Sequence, residues 1–270
     1  MINLSLKLSV LASGSSGNII YVESDESAIL IDAGISKKQS EILLNKIGKN
    51  LSDIKAIFVS HEHVDHIRGV GVINRGYNTL IYGNKDTLSC DKFRKITGNV
   101  NPDSLRLIEA EKAINFDDLK ITAFSTSHDS VNSQFYIIEH ENKKFVCLTD
   151  LGHLKPETLS LIKGANAYLI ESNHDVDLLI NGNRPEFNKK RILSKVGHLS
   201  NEDCGTHLSE CIDESTHTVI LGHLSKDHNN KSLALNTVKK ILSENSRFFS
   251  NSLNIIAFTQ KDDPTDLIDV

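Results

Sequence analysis

The stretch FVSHEHVDHIRG, residues 58–69, sets three histidines and an aspartate within six positions directly after a short apolar run. Histidine changes charge near neutral pH and each of its ring nitrogens requires a partner, so clustering it is costly as packing and well suited to holding a cation. IKAIFVS ahead of the cluster is short, apolar and β-branched, as a buried strand is, and HIRGVGVIN after it has the spacing of a helix start. On an extended segment residues two apart point the same way, so His61 and His63 face one ion together. Asp65 and His66 fall on the following turn, where they serve a second ion nearby. The motif alone predicts two metals.

A chain of 270 residues, 39% of them hydrophobic, can bury a core as one large or two small domains, and a single domain over 1–270 is expected. Four cysteines stand singly, at 90, 147, 204 and 211, with no C-x-x-C pair, so neither a zinc finger nor a disulfide framework is suggested and a reduced, cytoplasmic protein fits. MINLSLKLSV alternates apolar and polar residues as a strand does, so no signal peptide is expected, and no apolar run is long enough to span a membrane. The net charge of −5 is not that of a protein that grips nucleic acid by bulk charge, although two bound dications would offset most of it.

Strand patterns at 2–11, 18–23 and 28–32 are linked by the turn-like SGSSGN and SDES. A helix capped by Ser36 and stopped by Gly48 leads to the strand at 54–60 that delivers the histidines. A helix at 84–96 precedes strands near 104–109, 119–126, 134–139 and 145–149, the last two joined by ENKK. Thereafter helices at 156–163, 186–196, 201–213 and 231–243 alternate with strands at 166–171, 217–221 and 253–258, and the tail 261–270 is expected to fray. Many strands with helices at intervals suggest two sheets with helices outside.

Two metals need more ligands than the cluster supplies, and the rest should stand where strands end. ITAFSTSHDS ends at His128, KKFVCLTDLG at Asp150 and THTVILGHLS at His223, each following an apolar run that anchors it. Asp32, closing AILIDAG, is a further strand-end acid, placed to orient a histidine rather than to bind metal itself.

In this order ILIDAG, SHEHVDH, TSHDS, LTD and LGHLS resemble the five motifs of the metallo-β-lactamase superfamily, which implies an αββα sandwich of two mixed β-sheets with helices on the outer faces. With LASGSSGN, IESNHD, RILSKVGHLSN and LGHLSKDHNN, the chain is similar to the YycJ/WalJ family of bacterial nucleases over nearly its whole length. That resemblance implies 5′-to-3′ exonuclease activity on DNA in repair, with a metal-bridging hydroxide as nucleophile. It also implies that His61, His63, His128 and Asp150 hold one metal and Asp65, His66, Asp150 and His223 the other, Asp150 bridging and Asp65 counting among the catalytic groups. NGNRPEF and His228 depart from the family pattern without touching a ligand. The short interval from Asp150 to His223 leaves no room for the inserted domain of RNase J.

Two divalent ions suit phosphodiester cleavage, and carboxylate with imidazole suits zinc or manganese, iron less so. Where GHLSNED starts a helix, Ser200 with Asp203 either simply caps it or, with His198 and Lys195, receives the terminal phosphate of the DNA end, joined by Ser225 and Asn229. His174 in ESNHD is either a structural hydrogen-bonder or the proton donor to the leaving oxygen. His140, His153, His207, His217 and His228 are assigned to surface or structural roles. SGSSGN lacks the lysine of a nucleotide-triphosphate loop and is first of all a β-turn. DNA is expected over RNA as the partner. A small-molecule hydrolase of the same fold, acting on a thioester or small phosphodiester, is the alternative, and a metal-stabilised binding module a third reading.

Overall fold

The computed structural model describes residues 5–259 and 263–270, so the first positions of the expected opening strand and of the expected tail lie outside the described residues. In chain order the strands and helices are β1 (Lys7–Ala12), β2 (Ile19–Glu23), β3 (Ala28–Ile31), α1 (Lys37–Lys46), β4 (Ala56–Phe58), α2 (Val64–Ile67), α3 (Val70–Tyr77), β5 (Leu80–Gly83), α4 (Lys85–Ser89), α5 (Asp91–Thr97), β6 (Leu105–Leu107), β7 (Ala113–Phe116), β8 (Leu119–Ser125) and β9 (Gln134–His140). They continue as β10 (Lys143–Leu148), α6 (Pro156–Ile162), β11 (Ala167–Glu171), α7 (Val176–Asn181), α8 (Glu186–Ile192), α9 (Asn201–Cys211), β12 (Thr218–Gly222), α10 (Lys231–Asn245), β13 (Asn254–Ala257) and β14 (Ile268–Asp269). The chain divides into two compact units, one running to Ser125 with Ser130–Asn142 and the C-terminal residues, the other holding Thr126–Asp129 and Lys143–Thr259.

In the first unit a mixed sheet runs in the order β14-β1-β2-β3-β4-β5-β6. β1 to β3 pair antiparallel and β3 to β6 parallel, and the meander β7-β8-β9 belongs to the same unit. Ser36 caps α1 by accepting a hydrogen bond from Gln39 N at 3.2 Å, and Gly48 ends it at φ 70°, a left-handed turn that suits glycine. The helix expected over 84–96 is two, because Cys90 is extended and its sulfur caps α5 by accepting from Phe93 N. Nor does the described tail fray. Ile268 pairs with Leu8, Val270 N donates to Leu6 O at 2.8 Å, and Thr265 Oγ1 accepts from Val10 N at 3.0 Å. Backbone pairing and the burial of Val270 outweigh the polarity that makes this segment read as loose.

Phe58 at the end of β4 stacks on Tyr82 with centroids 4.7 Å apart and meets Phe116 and Tyr136 edge-on. Tyr136 donates to Val59 O at 2.6 Å and Gln134 N to Ser60 O at 3.0 Å, so β9 holds the backbone that leads into the histidines. In the second unit β10, β11, β12 and β13 pair parallel in that order. Burial on both faces explains why FVCL, AYLI and TVILG are continuous apolar runs. Among the described residues no helix is long and apolar enough to cross a membrane.

Candidate metal centre

In the first unit the chain leaves β4 extended through His63 and turns into α2, with His61 and His66 buried and His63 and Asp65 partly open. The His61 ring centroid lies 4.5 Å from that of His63 and 4.1 Å from that of His66. Asp32 follows β3 at φ 59°, the left-handed region, and its buried carboxylate organises the group. Oδ1 accepts from Ser60 N at 2.8 Å, while Oδ2 accepts from Ser60 Oγ at 2.8 Å and from His66 Nδ1 at 2.6 Å. With its proton on Asp32, the Ser60 hydroxyl accepts from His61 Nδ1 at 2.9 Å. His61 thus carries its lone pair on Nε2.

Asn18, from SGSSGN, braces the turn. Its side-chain oxygen accepts from Gly14 N at 2.8 Å, which directs Nδ2 to His66 Nε2 at 3.0 Å and to Asp65 Oδ2 at 3.5 Å. Asn18 N donates to Asp65 O at 2.7 Å, and that carbonyl crosses Gly34 so closely that a Cβ there would meet it at 1.6 Å. Only glycine fits beneath Asp65. The buried Glu62, between the two histidines, accepts from Val131 N at 3.2 Å and so ties the loop down.

In the second unit Asp150 follows β10 at φ 58° and His223 follows β12 at φ 53°. Donor atoms of Asp150, Glu171, His198 and His223 all lie within 4.8 Å of one another, a set able to hold a metal ion. Glu171, fully buried at the end of β11, is the residue the sequence reading missed, although it closes the apolar run AYLI just as Asp32 closes AILI. Its Oε1 accepts from His198 Nδ1 and from His223 Nδ1, both at 2.7 Å, and its Oε2 from Leu151 N at 3.0 Å and Leu199 N at 3.3 Å. Burial pushes this carboxyl up, but the two imidazoles outweigh it and hold Glu171 below the usual carboxylate range. His128 donates through Nδ1 to Gly197 O at 3.2 Å, and its Nε2 lies 3.7 Å from Asp150 Oδ1. Burial lowers the pKa of His128 against the pull of Asp150, favouring the neutral imidazole that a metal requires.

These contacts fit a cation. His61, His128, His198 and His223 each commit Nδ1 to an oxygen of the protein, the pattern that fixes the ring orientation of histidines around a metal.

Several expected roles change. Asn229 has no polar atom left for substrate: Nδ2 faces Ser172 O at 2.8 Å, Asn173 O at 3.1 Å and Asn201 Oδ1 at 2.8 Å, and Oδ1 accepts from Asn201 Nδ2 and Asn230 N. It is a buried bracket, and Asn201 is its counterpart. Ser200 is buried and caps α9, accepting from Asp203 N at 3.0 Å and donating to Asp203 Oδ2 at 2.9 Å, which leaves its hydroxyl proton unavailable to a phosphate. His174 is 1% exposed, and burial pulls it down to about 4 against the field of Glu171, so it is neutral at pH 7 and no store of protons for a leaving oxygen. His198, with 13% of its side chain exposed, is the more accessible imidazole. Lys195 is exposed and Ser225 half-buried, with its hydroxyl accepting from His228 N at 3.3 Å.

Clusters of this kind, on strand ends of sheets of this pairing, define a metallohydrolase fold. Residues 27–230 match the family described as the beta-lactamase superfamily domain. The structure superposes on the metallo-β-lactamase fold protein YhfI from Bacillus subtilis with a TM-score of 0.70, at 14% identity, covering 98% of this chain and 100% of that one. The fold is that of two mixed β-sheets with helices, as the five motifs imply. The sequence is 40% identical to exodeoxyribonuclease YycJ of Bacillus anthracis over 89% of this chain and 90% of that protein. To exodeoxyribonuclease WalJ of Streptococcus pneumoniae it is 41% identical, over 90% and 91%. The chain belongs to the metallo-β-lactamase superfamily, in the family of YycJ- and WalJ-type proteins.

Proposed function

We propose that the protein is a dinuclear metal-dependent exonuclease that degrades DNA from the 5′ end, acting in repair in the cytoplasm, with residues 1–270 as a single functional domain. The observation that carries this reading is the set of imidazoles whose Nδ1 is committed to the protein, beside relatives named as exodeoxyribonucleases at 40% and 41% identity. His61, His63, His128 and Asp150 would hold one ion, and Asp65, His66, Asp150 and His223 the other, zinc or manganese suiting the donors. When bound, such a pair supplies a hydroxide nucleophile at neutral pH and offsets charge on the attacking and leaving oxygens.

The chain's own residues do the positioning. Asp32 and Glu171 hold four histidine and serine partners in register, by the bonds given above. With Ser200 and Asn229 otherwise engaged, the terminal phosphate falls to His198, Lys195 and Ser225.

The test is an end-labelled single-stranded DNA ladder against its RNA counterpart and a panel of thioesters and aryl phosphodiesters, run before and after verified chelation and readdition of zinc or manganese. Metal-dependent 5′-to-3′ DNA degradation, abolished in Asp150→Asn, is the expected result. Turnover of the small esters alone would transfer the reading to a small-molecule hydrolase, and activity undiminished without metal would overturn it.

A further inference from the structure

A further group of metal-ligating side chains stands in the first unit, made of residues outside the histidine cluster at 61–66. It joins three elements: Asp25 in the turn between β2 and β3, Asp118 in the turn between β7 and β8, and His140, the last residue of β9. One donor atom from each lies within 4.8 Å of the other two. Acidic turns are common without ligands, and the histidine is what makes this one different. His140 is 4% exposed, and its Nδ1 lies 3.1 Å from Asp118 O. A carbonyl oxygen only accepts, so Nδ1 carries the proton and Nε2 the lone pair. That lone pair is buried, has no hydrogen-bond partner among the described residues, and points to Asp25 Oδ2, 3.9 Å away. A deprotonated carboxylate has no hydrogen to give it. Two acceptors facing each other at that distance repel unless a cation or a proton stands between them.

The carboxylates are short of positive charge as well. Among the described residues neither Asp25 nor Asp118 forms an ion pair with a lysine or arginine, whereas the adjacent Asp117 takes Lys55 at 2.7 Å. Their hydrogen bonds come from neutral groups: Ser5 N and Oγ to Asp25, both at 3.2 Å, and Ser24 Oγ to Asp118 at 2.5 Å. Such bonds orient the oxygens and leave the two negative charges in place.

We infer that Asp25, Asp118 and His140 form a separate divalent-cation site, of the zinc or manganese class, which clips the β2–β3 turn to the β7-β8-β9 meander. One imidazole and two carboxylates suit those ions, and the dication cancels both charges. Nδ1 held by a backbone carbonyl with Nε2 on the metal is the usual histidine arrangement. Metal–ligand bonds of about 2.0 to 2.2 Å require donors roughly 3.3 Å apart, so closure from 3.9 Å between Nε2 and Asp25, and from within 4.8 Å across the group, needs a movement of the side chains. Asp25, with 37% of its side chain exposed, can supply it, and that exposure leaves remaining coordination positions to water. The role is structural, fastening two turns that no strand pairing joins among the described residues.

The experiment reads the metal directly. Metal-stripped wild-type protein is titrated with manganese while its amide signals are followed by NMR, and zinc per chain is then measured after equilibrium dialysis. Manganese should broaden the signals of residues around 25, 118 and 140 as a group of their own, whatever the behaviour of the histidine cluster at 61–66. Asp25→Asn, which alters only an exposed side chain, should abolish that broadening and lower the zinc content by one equivalent. Asp118→Asn should weaken zinc at this site by more than about tenfold, the loss that follows even from removing an outer partner of a ligand. Unfolding temperature should rise with zinc more in wild type than in Asp25→Asn. No broadening near these residues in wild type, or the same zinc content and affinity in both variants, would show that His140 Nε2 is merely protonated and paired with Asp25, and would overturn the site.

Discussion

Asp32 Oδ2 accepts the Nδ1 proton of His66 at 2.6 Å, and both side chains are buried completely or nearly so. An acid that closes one strand thereby decides which nitrogen of a histidine on the next turn carries the proton. Asp32→Asn keeps the size of the side chain and its tolerance of a left-handed backbone but can place a donor where an acceptor stood. His66 is then driven toward the other tautomer. The expected outcome is a roughly 10- to 100-fold loss of metal affinity with the fold intact, checked by competition with a chromophoric chelator and by the nitrogen shifts of the His66 ring. Unchanged affinity with an unchanged tautomer would remove Asp32 from the site.

Glu171→Gln tests the second unit in the same way. One carboxylate there accepts from two imidazoles and two backbone amides, and a carboxamide offers only one oxygen. Donors left without an acceptor in a buried place cost about 1 to 3 kcal/mol. The variant should unfold at lower denaturant and bind metal more weakly, since His198 and His223 lose their common anchor. Chemical denaturation of the metal-free protein separates the first effect from the second.

The buried His174 gives the metal-free protein a pH dependence of definite sign. Folding lowers its pKa from 6.5 to about 4, because burial penalises the imidazolium. Above pH 6.5 it is neutral in both states and contributes no slope; below that the unfolded chain takes up a proton the native chain refuses. Stability should therefore fall as pH drops from 6.5 toward 4, by about 3 kcal/mol for this group. Glu171, whose pKa is lowered in the native protein, extends the loss further into acid. Urea titrations of wild type and His174→Gln at both ends of that range should show a flatter dependence in the variant. Parallel curves would contradict it.

Capping and end recognition can be told apart at Ser200. Because its hydroxyl is spent on Asp203, Ser200→Ala should cost about 1 kcal/mol of stability and leave the preference for a 5′-phosphorylated strand unaltered. Lys195→Ala, at an exposed side chain, should instead narrow that preference roughly two- to fivefold without destabilising the protein. Single-turnover rates on 5′-phosphate and 5′-hydroxyl strands decide between them, and the reverse pattern would restore Ser200 as the anchor.

Much of the scaffold was legible because it rests on local signals. An apolar, β-branched run ending in a polar residue marked the strand ends that carry Asp32, His61, His128, Asp150 and His223, and Ser36 and Ser200 showed their helix starts by capping chemistry. What escaped is non-local. Glu171 gains its character from His198 and His223, 27 and 52 positions away, and Asn18 from His66, 48 positions away. Asn229 looked like a ligand for substrate because nothing nearby in the chain announces Ser172 or Asn201 as its partners. The β7 strand and the pairing of β14 were missed for the same reason: their partners, not their compositions, define them.

Asp32, Asp150 and His223 share a left-handed backbone, at φ 59°, 58° and 53°. Aspartate, asparagine, histidine and glycine enter that region at modest cost, whereas β-branched and bulky side chains are strained there. A library randomised at these codons and sorted only for folded protein, with no metal and no substrate in the selection, would already be depleted of valine, isoleucine and threonine. The same three positions, sorted for turnover, would narrow further to the residues present. The difference between the two sorted pools measures chemistry alone, because the cost of the bend is common to both. Enrichment of asparagine or glycine in the first pool, and its disappearance from the second, would show how much of each residue's identity is owed to the shape of the chain and how much to the work it does.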